Sequence, residues 1–357
     1  MNIRQALQAL VDGRSLTRDE MRLVMTEVMN GEATPAQIGA LLVALRIRGE
    51  TIEEIVGAAE VMRSLVTRVQ VPQEHLIDLV GTGGDGANTV NISTMAALVV
   101  AATGAPVIKH GNRAASSSAG SADVLEALGV AIEMPGSEVA RGAREIGIGF
   151  CFAPAFHPAL RFVGPTRREL GVPTVFNILG PLANPAEPEA MLVGCSRLAS
   201  APTMAKVLHE RGVRALVVRG SGALEGLDEI STVGPTTIWD ATGAQVVEQV
   251  VDATEWGVER ARPEDLQGAS AQFNATVVER VLDPATDRSR DRSIAAITDA
   301  VVVNAAGALV AYDAAIGASD AGFVSERIAA ALPRARTAIT SGAARDVLRR
   351  WIGFRAH

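Results

Sequence analysis

The chain is poor in aromatic residues, with Phe, Trp and Tyr together making up only 3% of it. Its core must therefore be filled by Ala, Val, Leu and Ile, which suits helices packed on a buried sheet better than an all-β sandwich. Cysteine is nearly absent, Cys151 and Cys195 being the only two. Two thiols make neither a disulfide framework nor a zinc site, and a reducing cytoplasm is the compartment they fit. Positive charge is not in excess either, since the formal net charge is −7. That argues against a general nucleic-acid surface; any anion site has to be assembled locally from backbone amides, a few cations and metal. Long apolar runs are missing as well. The longest uncharged ones, 95–108 and 300–312, are too short to cross a bilayer and read as core elements. The opening MNIRQALQAL carries Arg4 and polar residues where a signal peptide would be apolar, so a soluble protein is expected.

A length of 357 residues suggests two or three domains. The first seventy or so residues read as a small helical unit. Thr17 precedes Glu20 by three positions, as Thr34 does Gln37 and Thr51 does Glu54, and each pair fits a capping box. Pro35 stands where a helix tolerates it, in the first turn. Apolar residues then recur with helical period: Met21, Val24, Met25 and Val28, followed by Ile38, Leu41, Leu42 and Leu45. Gly31 and Gly49 mark helix stops. These stripes can serve internal packing or a dimer interface.

From Pro72 the pattern changes to strands alternating with helices. Strands are expected at 76–80, 106–108, 130–134, 148–152, 191–194 and 215–218, with helices at 92–102, 121–128 and 202–211. This predicts an α/β fold: a small all-helical domain hinged to a larger α/β domain with a mainly parallel central sheet flanked by helices. The expected boundaries are 1–70 for the helical domain, joined by part of 164–188, and 71–163 with 189–357 for the α/β domain. The Gly- and Pro-rich stretch 164–185 is expected to return the chain to the helical unit and act as a hinge.

Four clusters carry chemistry. GTGGDGANTVNIST, from Gly81 to Thr94, follows a buried strand and opens a helix. There glycines turn backbone N–H groups toward a ligand and the helix terminus favours negative charge, which is how an acidic protein can hold a pyrophosphate. Gly81, Gly83 and Gly86 also satisfy the dinucleotide pattern G-x-G-x-x-G. That reading wants an acidic residue after the second strand, where this chain has Lys109, His110, Gly111, Asn112 and Arg113. Cations there suit phosphates. The second cluster runs from Lys109 to Gly129: Lys109 and Arg113 can meet phosphate oxygens, Asn112 and His110 can orient a planar acceptor, and Ser116, Ser117, Ser118 and Ser121 can donate. Ser121 by itself reads equally as a plain N-cap. The third is Asp228–Glu229 in GLDEIS, an adjacent acid pair that suits Mg²⁺ as readily as it suits solvent. In the fourth, PTRRELG, Arg167 or Arg168 could clamp a carboxylate or merely face water.

In order along the chain, GTGGDGANTVNIST, KHGNR with GSADVLEALG, PTRRELG, FNILGPLANP, GLDEIS and NAAGAL resemble the anthranilate phosphoribosyltransferase family of tryptophan biosynthesis, over essentially the whole length. The resemblance implies transfer of the 5-phosphoribosyl group of phosphoribosyl pyrophosphate (PRPP) to the amine of anthranilate. It implies PRPP contacts from Gly81, Gly84, Asp85, Thr89, Asn91, Ile92, Ser93 and Thr94, and from Lys109, His110, Gly111, Asn112, Arg113, Ala114, Ala115, Ser116, Ser117 and Ser121. It places anthranilate at Gly81, Asn112 and Arg167, a pair of Mg²⁺ ions at Ser93, Asp228 and Glu229, and a homodimer joined through the helical domain. The chain departs from the family at Val90, where Phe is commoner, at Ser118 for the usual Lys, and at Arg219 for a frequent His. The rivals are a pyrimidine nucleoside phosphorylase and a nucleic-acid-binding relative of the same fold, with an NADP-dependent dehydrogenase behind them. Because an aromatic amine is neutral at pH 7, no single general base is expected, and His110 is given at most an orienting role.

Overall fold

The computed structural model describes residues 1–72, 75–114, 117–222, 226–318 and 322–356. It divides into two compact units, Met1–Arg68 with Ala153–Pro185, and Val69–Phe152 with Ala186–His357.

The first unit is helical: α1 (Ile3–Val11), α2 (Arg18–Met29), α3 (Pro35–Arg48) and α4 (Ile52–Ser64). The capping boxes at Thr17, Thr34 and Thr51 are formed, and α1 starts with another at Asn2 and Gln5. Each satisfies two amides that the first helical turn leaves open. Met21, Val24, Met25, Val28, Ile38, Leu41, Leu42 and Leu45 are all buried. Glu54 is buried too, because it does more than cap α4: it accepts the Leu16 N–H at 2.8 Å and pairs with Arg48. Gly57 lets α4 lie against α2, since a methyl there would strike the Arg18 carbonyl. Stretch 153–185 adds α8 (Ala153–Phe156), α9 (Gly164–Leu170) and α10 (Val175–Leu179). The stretch 164–185 thus lies within the helical unit, in a segment that begins earlier, at Ala153. Its prolines and glycines punctuate helices, with Pro165 in the first turn of α9 and Gly171 as its left-handed cap at φ 63°.

The second unit carries a seven-stranded sheet in the order β3-β2-β1-β4-β5-β6-β7. Its strands are β1 (Ile77–Gly81), β2 (Val107–Gly111), β3 (Ile148–Phe152), β4 (Ala190–Gly194), β5 (Arg214–Gly220), β6 (Thr236–Asp240) and β7 (Val247–Val251). The first five are parallel, and β6 and β7 pair antiparallel; the six residues between β6 and β7 are too few for a helical crossover. That edge hairpin escaped the sequence pattern because β7 is largely exposed. The expected strand at 130–134 does not form. Val130 and Ile132 are buried in alternation, but their backbone finds no ladder.

Helices α5 (Ile92–Ala102), α6 (Ser121–Ala127), α7 (Gly136–Ile146), α11 (Ala201–Glu210), α12 (Ala271–Leu282), α13 (Arg292–Ala315), α14 (Val324–Thr340) and α15 (Ala343–Gly353) cover the sheet. Almost every residue of α5 is buried, as its unbroken apolar sequence requires. Helix α13 has 24 residues and would satisfy the length and apolarity of a membrane span, so the shorter run 300–312 gave the wrong reason for a correct placement. Its most apolar window is 83% buried, packed on α5, α14 and β4.

Candidate active site

In the second unit β1 lies between β2 and β4, and the chain leaves the sheet in opposite directions from this centre. Such a switch point opens a crevice at the carboxyl ends of the strands. The loop after β1 turns through Gly83, Gly84 and Gly86 at φ 65°, 77° and 71°, a region closed to most side chains. Gly81 and Gly194 face each other in the β1–β4 register, and a methyl on either would collide with Asp228. The two glycines thus let the 227–230 segment lie directly on the strand ends.

Asp228 accepts the Gly83 N–H at 2.7 Å. Glu229 accepts the Ser93 N–H at the start of α5. Burial pushes both carboxyls up from their ordinary range, Asp228 to about 7, and the neighbouring Asp85 adds like-charge repulsion. The chain has two lysines, and one of them, Lys109, is buried here. Its Nζ donates to the Leu79 carbonyl at 2.6 Å and to Ser93 Oγ at 3.3 Å. Burial lowers its pKa, while Asp78, Glu229 and Asp228 oppose that shift. Lys109 is therefore already hydrogen-bonded to the fold, with the acid pair among the charges around it.

This donor set fits magnesium. The groups are hard oxygens whose proton affinity is raised first by burial and then by like charge beside them, both of which a bound cation would offset. No three His, Cys, Asp or Glu side chains converge as a metal cage among the described residues. Magnesium does not need one, taking one or two carboxylates and completing its shell with water and phosphate.

The other expected residues divide. Thr94 Oγ1, at the foot of α5, is buried without a hydrogen-bond partner among the described residues. Ile92 is buried with its N–H on Val90 at 2.7 Å, and Thr89 bridges to Gln267. Asn91 spends its amide on the Ala119 carbonyl (3.1 Å) and on Asn274 (2.9 Å). In the second loop Asp123 accepts the N–H groups of Ala114 (2.9 Å) and Gly120 (2.8 Å). Arg113 pairs with Asp123 and Glu126 and lies over Phe152, so its charge is engaged within the fold. His110 donates its N–H to Asp78, and Asn112 Oδ1 accepts the Arg113 N–H. Gly111 faces Ser121 Oγ so closely that a methyl would not fit. Ser121 is the first helical residue and not the N-cap, which is Gly120; its hydroxyl reaches the Asn112 carbonyl at 3.4 Å. Ser117 is exposed, Ser118 donates its N–H to Asn88, and Ala115 and Ser116 lie outside the described residues.

Two organisers were missed. Asp123 is one; the sequence showed it only as an acid in the first turn of a helix. The other is Asn304, fully buried on α13, which accepts the Ile230 N–H at 2.8 Å and donates to the Ile230 carbonyl at 2.9 Å, fixing the residue after Glu229. A lone amide inside the apolar run 300–312 was the available signal.

In the first unit, Arg167 is half-buried on α9 over Phe176, and burial alone lowers its pKa. Among the described residues it has no carboxylate partner. Arg168 is exposed.

The chain matches two family models: the α/β domain of a glycosyl transferase family over residues 73–345 and its helical bundle domain over residues 4–66. The anthranilate phosphoribosyltransferase of Arthrobacter sp. (strain FB24) is 50% identical over 98% of this chain and 94% of its own length. The chain belongs to the anthranilate phosphoribosyltransferase family. The anthranilate phosphoribosyltransferase of Saccharopolyspora erythraea is 48% identical over 96% of this chain and 93% of its own. Among solved structures of the family, that from Thermus thermophilus aligns with TM-score 0.86 at 40% identity over 98% of both chains. The Saccharomyces cerevisiae structure in complex with PRPP and Mg aligns with TM-score 0.85 at 26% identity, over 98% of this chain and 97% of the other. An enzyme with a helical domain and a larger, mainly parallel α/β domain is thus what both the fold and the relatives give. The phosphorylase, nucleic-acid-binding and dehydrogenase alternatives are not favoured.

Proposed function

We propose that this chain transfers the 5-phosphoribosyl group of PRPP to the amine of anthranilate, releasing pyrophosphate, as a step of tryptophan biosynthesis. The observation that carries the reading is the approach of the Asp228–Glu229 segment to the glycine-rich loop: Gly83 N–H to Asp228, Ser93 N–H to Glu229, and two glycines cleared for the contact. Carboxylates, loop amides and a helix N-terminus therefore share one end of the sheet, where a diphosphate and its metal need them.

Ser93, Asp228 and Glu229 would hold the magnesium. When bound, the metal supplies positive charge that stabilises the departing pyrophosphate. The chain's own residues do the rest. The loop from Gly81 to Gly86 leaves backbone donors near the acid pair, and the α5 terminus adds partial positive charge. Lys109 is among the charges around the pair and donates to Ser93 Oγ. Arg167, a desolvated guanidinium with no carboxylate partner among the described residues, is suited to the carboxylate of anthranilate. Anthranilate's amine needs no strong base, so positioning carries the reaction. The binding of two metal ions belongs to this proposal, as does a homodimer through the helical unit. Val11 and Ile47, exposed at the ends of α1 and α3, which pack on each other, suit such an interface.

The direct test mixes the protein with anthranilate, PRPP and Mg²⁺ and follows the loss of anthranilate fluorescence. Turnover abolished by a chelator and restored by Mg²⁺ is expected. No fluorescence loss, or a rate indifferent to chelation, would overturn the assignment.

A further inference from the structure

Arg219, next to last in β5, is half-buried, and its Nε donates to the Ser196 carbonyl at 2.9 Å. Its guanidinium also lies flat against Gly226. A methyl built there would come within 2.5 Å of Arg219 Cζ, and Gly226 holds φ 95°. Gly226 stands two residues before Asp228, and Leu227 exchanges both backbone hydrogen bonds with Gly220 at 2.8 and 2.9 Å. The base of the acidic segment is thus pinned to the end of β5, with Arg219 packed on its outer side.

Ser196 connects this to the phosphate loop. Its Oγ donates to the Gly83 carbonyl at 3.0 Å, its N–H donates to Thr82 Oγ1 at 3.3 Å, and the Thr82 N–H donates to Gly194 at 2.9 Å. Gly83 in turn donates to Asp228. The contacts close a ring: Arg219, Ser196, Gly83, Asp228, Gly226 and back to Arg219. One rigid planar side chain spans the two loops that must meet a diphosphate and its metal. A guanidinium suits that position because one face can pack on a glycine while an edge donates.

We infer that Arg219 is a positioning residue that sets the separation between the Asp228–Glu229 segment and the glycine-rich loop, through Ser196. It does so without touching substrate, and its influence falls on metal-dependent PRPP binding and not on anthranilate. The inference rests on the acid pair holding metal.

The test compares Arg219→Met, Arg219→Lys and Asp228→Asn with the unmodified enzyme. PRPP binding is measured by calorimetry at saturating Mn²⁺, and KM for each substrate by fluorescence. Arg219→Met should weaken Mn²⁺-dependent PRPP binding about tenfold, the scale of one hydrogen bond from a charged donor. Its anthranilate KM should stay within about twofold and its melting temperature within about 3 °C. Arg219→Lys, which keeps a charged donor for the Ser196 carbonyl, should recover part of the loss. The inference is overturned if Arg219→Met binds PRPP normally, if both substrates weaken alike, or if Arg219→Lys is no better than Arg219→Met. Asp228→Asn separates the two ideas. Should it leave Mn²⁺-dependent binding intact, the acid-pair reading itself fails; should it abolish binding while Arg219→Met does not, only the positioning role falls.

Discussion

Replacing Asp228 by Asn should stabilise the metal-free protein at neutral pH while destroying its activity. The carboxyl of Asp228 is raised from 3.8 to about 7 by burial, then by Asp85. Between those two values the native state holds a proton that the unfolded chain has released, so native stability falls as pH rises from about 4 to 7 and the loss is complete above 7. Three pH units at about 1.4 kcal/mol each give about 4 kcal/mol as a ceiling. Asp228 keeps some solvent contact and shares its charge with Asp85 and Glu229, so about 2 kcal/mol is the working figure. Asparagine has the same shape; its oxygen can accept the Gly83 N–H while its NH₂ faces Asp85. Thermal melts of both proteins with chelator, from pH 4 to 9, should show curves that agree near pH 4 and separate progressively, by several degrees at pH 8, the variant higher. Added Mg²⁺ with PRPP should raise the unmodified protein alone. A variant less stable than the parent at pH 8, or a gap that does not change with pH, would refute the reasoning.

Other expectations can be checked alongside. Arg167→Ala should raise the KM for anthranilate about tenfold or more and leave that for PRPP within about threefold, while Arg168→Ala should do little; equal rises for both substrates remove Arg167 from the carboxylate role. Gly194→Ala puts a methyl into the Asp228 backbone and should cost about 2 kcal/mol of stability and most of the activity, read by denaturant unfolding and the fluorescence assay; near-normal turnover would contradict the close approach. His157, buried in the helical unit, has its pKa lowered to about 4 by burial. The unfolded chain therefore gains a proton that the native state refuses as pH falls from about 6.5 to 4, losing up to about 3 kcal/mol, and His157→Gln should flatten that acid limb in urea unfolding.

Helix starts were legible because capping is local: Thr51 and Glu54 lie one turn apart, and no distant residue decides whether they meet. The same holds for α5, whose sequence is apolar on every side and could only be buried. The β6–β7 hairpin was invisible for the opposite reason. Strand β7 is largely exposed, and pairing across the sheet edge, not pattern, makes it a strand. The site behaves likewise. Its glycines, hydroxyls and acid pair could be named from their order alone, but not what engages them.

Sequence by itself settled the kinds of groups available: a glycine-rich turn before an apolar helix, a basic second loop, an adjacent acid pair and an aliphatic core. It settled these because each depends on chemistry within a few residues. Only the tertiary structure decided that Arg113 is held by Glu126, that Lys109 lies near the carboxylates, that Gly194 clears room for Asp228, and that Asn304 fixes Ile230. Those partners are separated by anything from 13 to 120 positions, and burial, which shifts the charge each group carries, exists only once the strands have brought them together.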